Sequence, residues 1–213
     1  KGDVTVLDKS YRCPQKIYKL ANRIISRVKN RREKNWQPKE EIGKISYIAD
    51  LRHIDLSTGN WLLLGRTKKI RNEKIESFLK DRGFWYGRGD HRPVVPSTLE
   101  AIETWQRLKS GSTISLLEVK NLYNKIKSGT GIKTFKGENE ESLFILEDLK
   151  NNHGLLVDGY WHEVMDKVSD FDITYLRRLE RIGENIKGEP RIRVSTIHQA
   201  KGGECDNVVV LLD

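Results

Sequence analysis

The chain contains an unbroken apolar run, Trp61-Leu62-Leu63-Leu64, which ends at Gly65 and is followed by the polar residues Arg66-Thr67-Lys68. A strand with one solvated face alternates apolar and polar side chains, whereas a strand covered on both faces is apolar throughout. The run therefore predicts a strand that is buried inside a parallel sheet with helices on both faces.

A helix is predicted directly after this strand. Its apolar positions have the spacing of one helix face and are Ile70, Ile75, Phe78 and Leu79. Gly83 follows them, and glycine readily adopts the left-handed conformation that ends many helices. We therefore expect the helix to end at Gly83.

The N-terminal part predicts a strand, a helix, a loop and a further strand. Residues 4–7 form a short run rich in β-branched side chains, and Pro14 opens a helical pattern. That pattern consists of Ile17, Leu20, Ala21, Ile24, Ile25 and Val28. The polar residues 29–43 predict a loop, and residues 45–49 predict the next strand.

Residues 97–189 have helical signals only, so we expect this part to be entirely helical. Two capping boxes are predicted, Ser97-Thr98-Leu99-Glu100 and Ser115-Leu116-Leu117-Glu118. A loop rich in glycine and lysine covers 128–137. Further apolar stripes lie at 143–149 and 173–182, and one more consists of Leu116, Val119, Leu122, Tyr123 and Ile126.

Two strands, 191–195 and 207–212, are predicted at the end of the chain. Two independent domains in tandem would leave them without a sheet to join. The fold class is therefore predicted as α/β, a parallel sheet covered by helices and interrupted by a helical insert. The predicted domains are 1–96 and 190–213, which together form the sheet domain, and the insert 97–189.

Composition restricts the class of protein. Hydrophobic residues make up 37% and charged residues 32% of the 213, and no apolar run is long enough to cross a bilayer, so no membrane partner is expected. Cys13 and Cys205 lack the spacing of a zinc site or a disulfide framework, and we expect no metal site and a cytoplasmic, reducing location. The net charge is +9, and residues 1–35 hold eleven basic against three acidic side chains. A basic segment such as 1–35 attracts phosphates, or it is only the solvated face of a helix followed by a charged loop.

Polar residues that are suited to binding a ligand or to catalysis are concentrated at three places. Arg12 offers a charged fork to a phosphate, or is an ordinary surface arginine. The segment Arg66-Thr67-Lys68 lies at the carboxyl end of a buried strand, where open α/β sheets bind ligands. In the third place, Thr196 to Glu204, the glycines let backbone N–H groups approach an anion, Lys201 neutralises phosphate charge, and Glu204 accepts hydrogen bonds from ribose hydroxyls.

The third place resembles a family motif. Thr196-Ile197-His198-Gln199-Ala200-Lys201-Gly202-Gly203-Glu204 matches, in register, the T-x-H-x-A-K-G-x-E motif of the UvrD/Rep-like superfamily 1 DNA helicases. That motif belongs to their second, RecA-like motor domain. Tyr11-Arg12 is similar to the family's Y-R motif, and Leu63-Leu64-Gly65-Arg66-Thr67 is similar to its strand followed by R-[ST]. The three motifs follow the family order.

The resemblance implies a role for each matching residue. Arg12 would reach the γ-phosphate of ATP as an arginine finger, and Lys201, Gly202 and Glu204 would approach the phosphates and ribose. Residues near single-stranded DNA would be Arg66, Thr67, Lys68, Thr196 and His198.

The predicted function is that of the C-terminal motor domain of an ATP-dependent DNA helicase, moving 3′ to 5′ as family members commonly do. Its partners would be single-stranded DNA, duplex junctions and the first RecA-like domain of the same polypeptide, which would hold most of the ATP and Mg²⁺. The sequence has no G-x-x-x-x-G-K-[ST] loop, so we expect this chain alone to be inactive.

Two alternatives remain open. The chain could be a nucleic-acid-binding module without catalysis, using the basic residues 23–34 and the aromatic side chains Trp36, Trp85 and Tyr86 for stacking. It could also be a degenerate motor domain that serves as a scaffold in a repair or recombination complex.

Overall fold

The computed structural model describes residues 8–31, 36–133, 135 and 141–212. The chain divides into two compact units. The first unit is Lys1–Thr58 with Gly202–Glu204, and the second is Gly59–Lys201 with Cys205–Asp213. The division 1–96, 97–189 and 190–213 was made from element types and stays a prediction.

The first unit contains one α-helix among its described residues, α1 (Gln15–Ile25), and a single 3₁₀ turn (Leu51–His53). The helix starts directly after Pro14, as predicted. The strand expected at 45–49 is wrong, because this segment pairs with no neighbour among the described residues, and an extended segment becomes a strand only when its backbone groups are paired. The strand expected at 4–7 lies outside the described residues.

The second unit is built on a four-stranded parallel sheet flanked by helices, so the fold class is mixed α/β. Its strands are β1 (Trp61–Gly65), β2 (Tyr86–Gly87), β5 (Ile192–Thr196) and β6 (Asn207–Leu211), in the order β2-β5-β1-β6. The predictions of a central apolar strand and of two late strands that join it are therefore confirmed.

The middle of β1 is the centre of this sheet. Leu62, Leu63 and Leu64 are all buried, and Leu63 is fully so. Removing one such side chain from water contributes about 1.5–3 kcal/mol. In the edge strand β6, half-buried and exposed side chains alternate instead, and Val208 and Val210 are exposed.

One continuous helical segment follows β1. It consists of α2 (Lys68–Ile70), a π-helical stretch (Arg71–Glu76) and α3 (Ser77–Arg82). The hydroxyl of Thr67 caps its start by accepting from the Ile70 N–H at 3.2 Å. Gly83 ends it at φ 77°, which confirms the predicted left-handed cap.

The remaining α-helices surround a core of their own. They are α4 (Pro96–Lys109), α5 (Leu116–Tyr123), α6 (Leu146–Asn151), α7 (Trp161–Val164) and α8 (Asp170–Ile182). The stripe predicted from Leu116 to Ile126 is buried in this core, as expected.

Two details of this part differ from the sequence prediction. It is not entirely helical, because β3 (Ile114–Ser115) pairs antiparallel with β4 (Leu143–Phe144). The capping box at Ser115 forms, with Ser115 N–H donating to Glu118 Oε2 at 2.8 Å. The box expected at Ser97 does not form, because α4 already starts at Pro96, which places Ser97 inside the helix.

Of the helices that the described residues form, none has the length and apolar character that a bilayer crossing requires.

Candidate functional site

A hydrogen-bonded turn in the first unit fixes the backbone around Arg12. The Ser10 hydroxyl accepts from the N–H groups of Arg12 and Cys13 at 3.3 and 3.1 Å. The Ser10 N–H in turn donates to the Gln37 carbonyl at 2.8 Å. This turn explains why a serine precedes the arginine by two residues, and it fixes the backbone position from which the Arg12 side chain extends.

The Arg12 side chain meets the far end of the sequence within the first unit. Its Nη1 donates to the Gly202 carbonyl at 3.1 Å, and its Nε lies 3.3 Å from Glu204 Oε2. The side chains of Arg12 and Glu204 are 56% and 66% exposed, so water screens the pair, which contributes about 0.2–1 kcal/mol. Three of the residues assigned to the nucleotide are therefore brought together.

The backbone at Gly202 suits the close approach of an anion. Its φ of 88° is in the left-handed region, and a Cβ built there would meet no heavy atom within 4 Å. The space beside this backbone is therefore open. An exposed guanidinium next to an open glycine backbone fits a phosphate group, which accepts from both kinds of N–H donor.

In the second unit, two of the motifs leave the sheet at the same edge. β1 and β5 are parallel neighbours, and Gly65 is aligned with Thr196. The Ile197 N–H donates to the Gly65 carbonyl at 3.1 Å, which extends the pairing beyond the strands. The segments 66–68 and 197–201 therefore start side by side at the carboxyl ends of these strands, where α/β sheets bind ligands.

Thr196 builds the turn that follows β5. It is buried, and its hydroxyl accepts from the Gln199 N–H at 3.3 Å and donates to Gln199 Oε1 at 3.1 Å. The Thr196 carbonyl accepts from the Ala200 N–H at 3.0 Å. The Thr196 hydroxyl is thus used within the turn, whereas His198 and Lys201 are exposed.

Arg66, Thr67 and Lys68 are also exposed. Thr67 caps α2 and Lys68 is the first residue of that helix, so these side chains lie beside its N-terminal end. The partly positive N-terminal end of a helix and a cationic side chain both attract an anion.

Sequence reasoning missed Arg71, which is buried beneath this edge. Its Nε lies 3.3 Å from Glu76 Oε1 and donates to Asn72 Oδ1 at 3.0 Å. Its Nη1 donates to Gln199 Oε1 at 3.5 Å, which links the π-helical stretch to the turn after β5. Arg71, Ile75 and Leu79 follow one another at four-residue steps, and this spacing on the buried face was the available signal.

Glu76 has two more partners. Arg88 Nη1 lies 3.3 Å from Glu76 Oε1, and the Tyr86 hydroxyl donates to Glu76 Oε2 at 3.3 Å. Burial raises the pKa of Tyr86 well above its ordinary value, and the neighbouring Glu76 carboxylate raises it further. The Tyr86 hydroxyl therefore stays protonated and keeps donating to Glu76.

Two of the three aromatic side chains assigned to the non-catalytic binding module, Trp85 and Tyr86, are not available for stacking. Trp85 and Tyr86 are buried, because the chain from Gly83 turns inward to pack against the helical core and to form β2. The Trp36 ring packs edge-on against Tyr18, with their centroids 4.4 Å apart. This part of the alternative interpretation is wrong for Trp85 and Tyr86.

Neither cysteine has the features of a reactive thiol. Both are half-buried and reduced, and burial raises the pKa of the Cys13 thiol, which favours its protonated form. Within the described part of the chain, no three side chains of His, Cys, Asp or Glu converge as metal ligands would.

Comparison of the chain with protein-family models, with curated proteins and with solved structures found no match.

Proposed function

We propose that this chain is the second motor domain of an ATP-driven DNA helicase similar to the UvrD/Rep group. Its parallel sheet would be the RecA-like core, and the helices within 97–189 would be the insert. The observation that carries the proposal is the meeting of Arg12 with Gly202 and Glu204. These residues belong to two motifs at opposite ends of the sequence, and the resemblance assigns both motifs to the same nucleotide.

Arg12 would act on ATP that is held by the first motor domain, which would also hold Mg²⁺. As the γ-phosphoryl group is transferred to water, negative charge spreads over its oxygens, and a guanidinium stabilises that charge. The exposed Arg12–Glu204 pair costs about 1 kcal/mol or less to break. The phosphate therefore competes readily with Glu204 for Arg12, and the Glu204 carboxylate would accept from ribose hydroxyls.

Single-stranded DNA would lie across the sheet edge where β1 and β5 end. Arg66 and Lys68 supply positive charge there, and the exposed His198 supplies a ring and an N–H donor. Contacts of this kind hold the DNA backbone irrespective of base sequence. Thr67 and Thr196 would position these groups through the cap and the turn that they form.

The two sets of contacts are joined by one short covalent segment. His198, assigned to DNA, and Glu204, assigned to ATP, both lie between β5 and β6. A shift of Glu204 when Arg12 binds phosphate would thus displace the turn after β5, which would face DNA. Such a connection is a direct route for coupling ATP turnover to movement along the strand.

The test is DNA-stimulated ATP hydrolysis by the polypeptide that carries both motor domains, comparing wild type with Arg12→Ala. We expect turnover to fall by about 10³-fold or more, because arginine fingers contribute about 10³–10⁵ in rate. Arg52→Ala is the matched control, since Arg52 is an exposed arginine of the same unit that pairs with Asp50. Its turnover should equal that of wild type.

Three outcomes would count against the proposal. Unchanged turnover in Arg12→Ala would remove the arginine-finger role, provided that the variant folds and binds DNA. An equal loss in Arg52→Ala would show a general effect of charge. Absence of DNA-stimulated hydrolysis in wild type would favour the scaffold interpretation instead.

A further inference from the structure

An open surface cavity of about 390 Å³ lies in the second unit. Its cationic lining consists of Lys120, Lys133 and Lys167, and Asn124 adds an amide. Cavities that hold small organic ligands have volumes of about 300–1,000 Å³. The cavity is thus large enough for a nucleotide.

The three lysines come from separate segments, and each segment is held in place. Lys120 is on α5. The Lys133 N–H donates to the Gly154 carbonyl at 2.7 Å, and the Lys167 N–H donates to the Lys125 carbonyl at 3.1 Å. The fold itself therefore brings three lysine residues to the lining of one cavity.

The described residues offer these lysines no compensating charge. No carboxylate lines the described part of the cavity, and none of the three lysines forms an ion pair with a described residue. The carboxylates nearest in sequence to Lys167 and Lys120 are used elsewhere: Asp166 accepts from the Lys127 N–H at 2.7 Å, and Glu118 binds Arg107 and Ser115. Like charges gathered without a counter-charge repel one another, and a bound anion relieves that repulsion.

The remaining walls are apolar. Tyr123 and Phe135 meet edge-on with ring centroids 5.6 Å apart, and Ile132 adds an aliphatic surface. The Tyr123 hydroxyl points away to the His153 carbonyl, to which it donates at 3.0 Å. A ligand for this cavity therefore needs an anionic group and a flat or apolar body.

We propose that this cavity binds a nucleotide. The three lysines hold its phosphate, and the aromatic walls contact its sugar and base. The phosphate comes either from a free nucleotide or from one unit of a nucleic-acid strand, since both present the same chemistry. This site is separate from Arg12 and Glu204 and does not depend on the helicase proposal.

The proposal is tested by titrating the 213-residue chain with AMP and, separately, with a short oligothymidylate, and following backbone amide signals by NMR. We expect the signals of Asn124, Lys133 and Lys167 to shift. The binding affinity measured from these signals should fall at least tenfold in the triple variant Lys120→Gln, Lys133→Gln, Lys167→Gln. The triple variant should melt like wild type, because its changed side chains are exposed and form no described ion pairs.

A charge-matched control carries Lys16→Gln, Lys19→Gln and Lys29→Gln in the first unit, and it should bind at the same signals as wild type does. Arg12→Ala should also bind there normally, which separates this site from the proposed ATP site. Tighter binding of oligothymidylate identifies a strand as the source of the phosphate, and binding of AMP alone identifies a free nucleotide. Absence of shifts with both ligands, or an equal loss in the charge-matched control, would overturn the proposal.

Discussion

Arg12–Glu204 and Arg71–Glu76 are both arginine–glutamate pairs with a nitrogen–oxygen distance of 3.3 Å, but their surroundings differ. The first pair is more than half exposed, whereas the side chains of Arg71 and Glu76 are 6% and 13% exposed. An exposed pair exchanges easily with water or a phosphate, whereas a buried pair is fixed because either charge alone would be costly. Although the two distances are equal, the difference in exposure makes Arg12 suited to exchange its partner for a ligand and Arg71 suited to structural support.

The largest effect is expected for Arg71→Ala, which leaves the Glu76 carboxylate buried with one fewer partner. We expect the free energy of unfolding to fall by about 3–5 kcal/mol, measured by urea denaturation. The control Arg52→Ala breaks a solvent-exposed pair with Asp50 and should leave the free energy of unfolding nearly unchanged. Similar losses in the two variants would contradict the distinction between buried and exposed pairs.

Gly65→Ala should have the next largest effect, because it disturbs the approach of β1 to the π-helical stretch. A Cβ at Gly65 would lie 2.9 Å from the Arg71 backbone nitrogen, which cannot move aside as a flexible side chain would. We expect a loss of about 1–3 kcal/mol in unfolding free energy. A gain in stability, as at an unconstrained glycine, would show that Arg71 is not held tightly against the end of β1.

A smaller effect is expected from pH, through Tyr86. Its pKa is raised above the ordinary value of 10.0 by burial and by Glu76, so above pH 10 the unfolded chain ionises this tyrosine while the folded protein does not. Stability should hold below pH 10 and fall above it, by about 1.4 kcal/mol per pH unit for this group. Denaturation of wild type and Tyr86→Phe between pH 8 and 11 measures this, and the variant should lose less stability over that range. Equal slopes would mean that the Tyr86 hydroxyl is not held protonated.

The smallest effect on stability is expected for Arg12→Ala, at about 1 kcal/mol or less. The same substitution should nearly abolish DNA-stimulated ATP hydrolysis. Thermal melting together with the ATPase assay separates the two quantities. A loss of stability as large as that of Arg71→Ala would show that Arg12 supports the fold as Arg71 does, and it would contradict the distinction between the exposed and the buried pair.

Much of the fold could be predicted from local patterns. Apolar runs predicted β1 and β6, the segment 191–195 predicted β5, and apolar spacing predicted α1, because burial on one or both faces is visible in a single segment. The strand expected at 45–49 was wrong, since strand formation depends on a partner that local sequence does not show. The pair β3–β4 was missed because two residues per strand are too few for any periodicity.

Less of the candidate site could be predicted. That Arg12 meets Glu204 follows from the tertiary fold, and only the family resemblance suggested that both face one ligand. Arg71 was overlooked because an arginine among charged residues suggests a solvated helix surface. Its burial depends on Glu76, Asn72 and Gln199, and the last of these is distant in sequence.

The strand order β2-β5-β1-β6 has a consequence for how the protein is made. Both neighbours of β1 are encoded late, since Trp61 pairs with Ile192 and Asn207. Ribosomes add roughly 5–20 residues per second, so the most apolar strand spends several seconds in the cell before its partners exist. The buried residues of the helical core, from Trp85 to Leu179, all precede β5 in the sequence, so this core is able to form during that delay. We therefore expect the nascent chain to depend on chaperones that cover β1 until synthesis reaches β6.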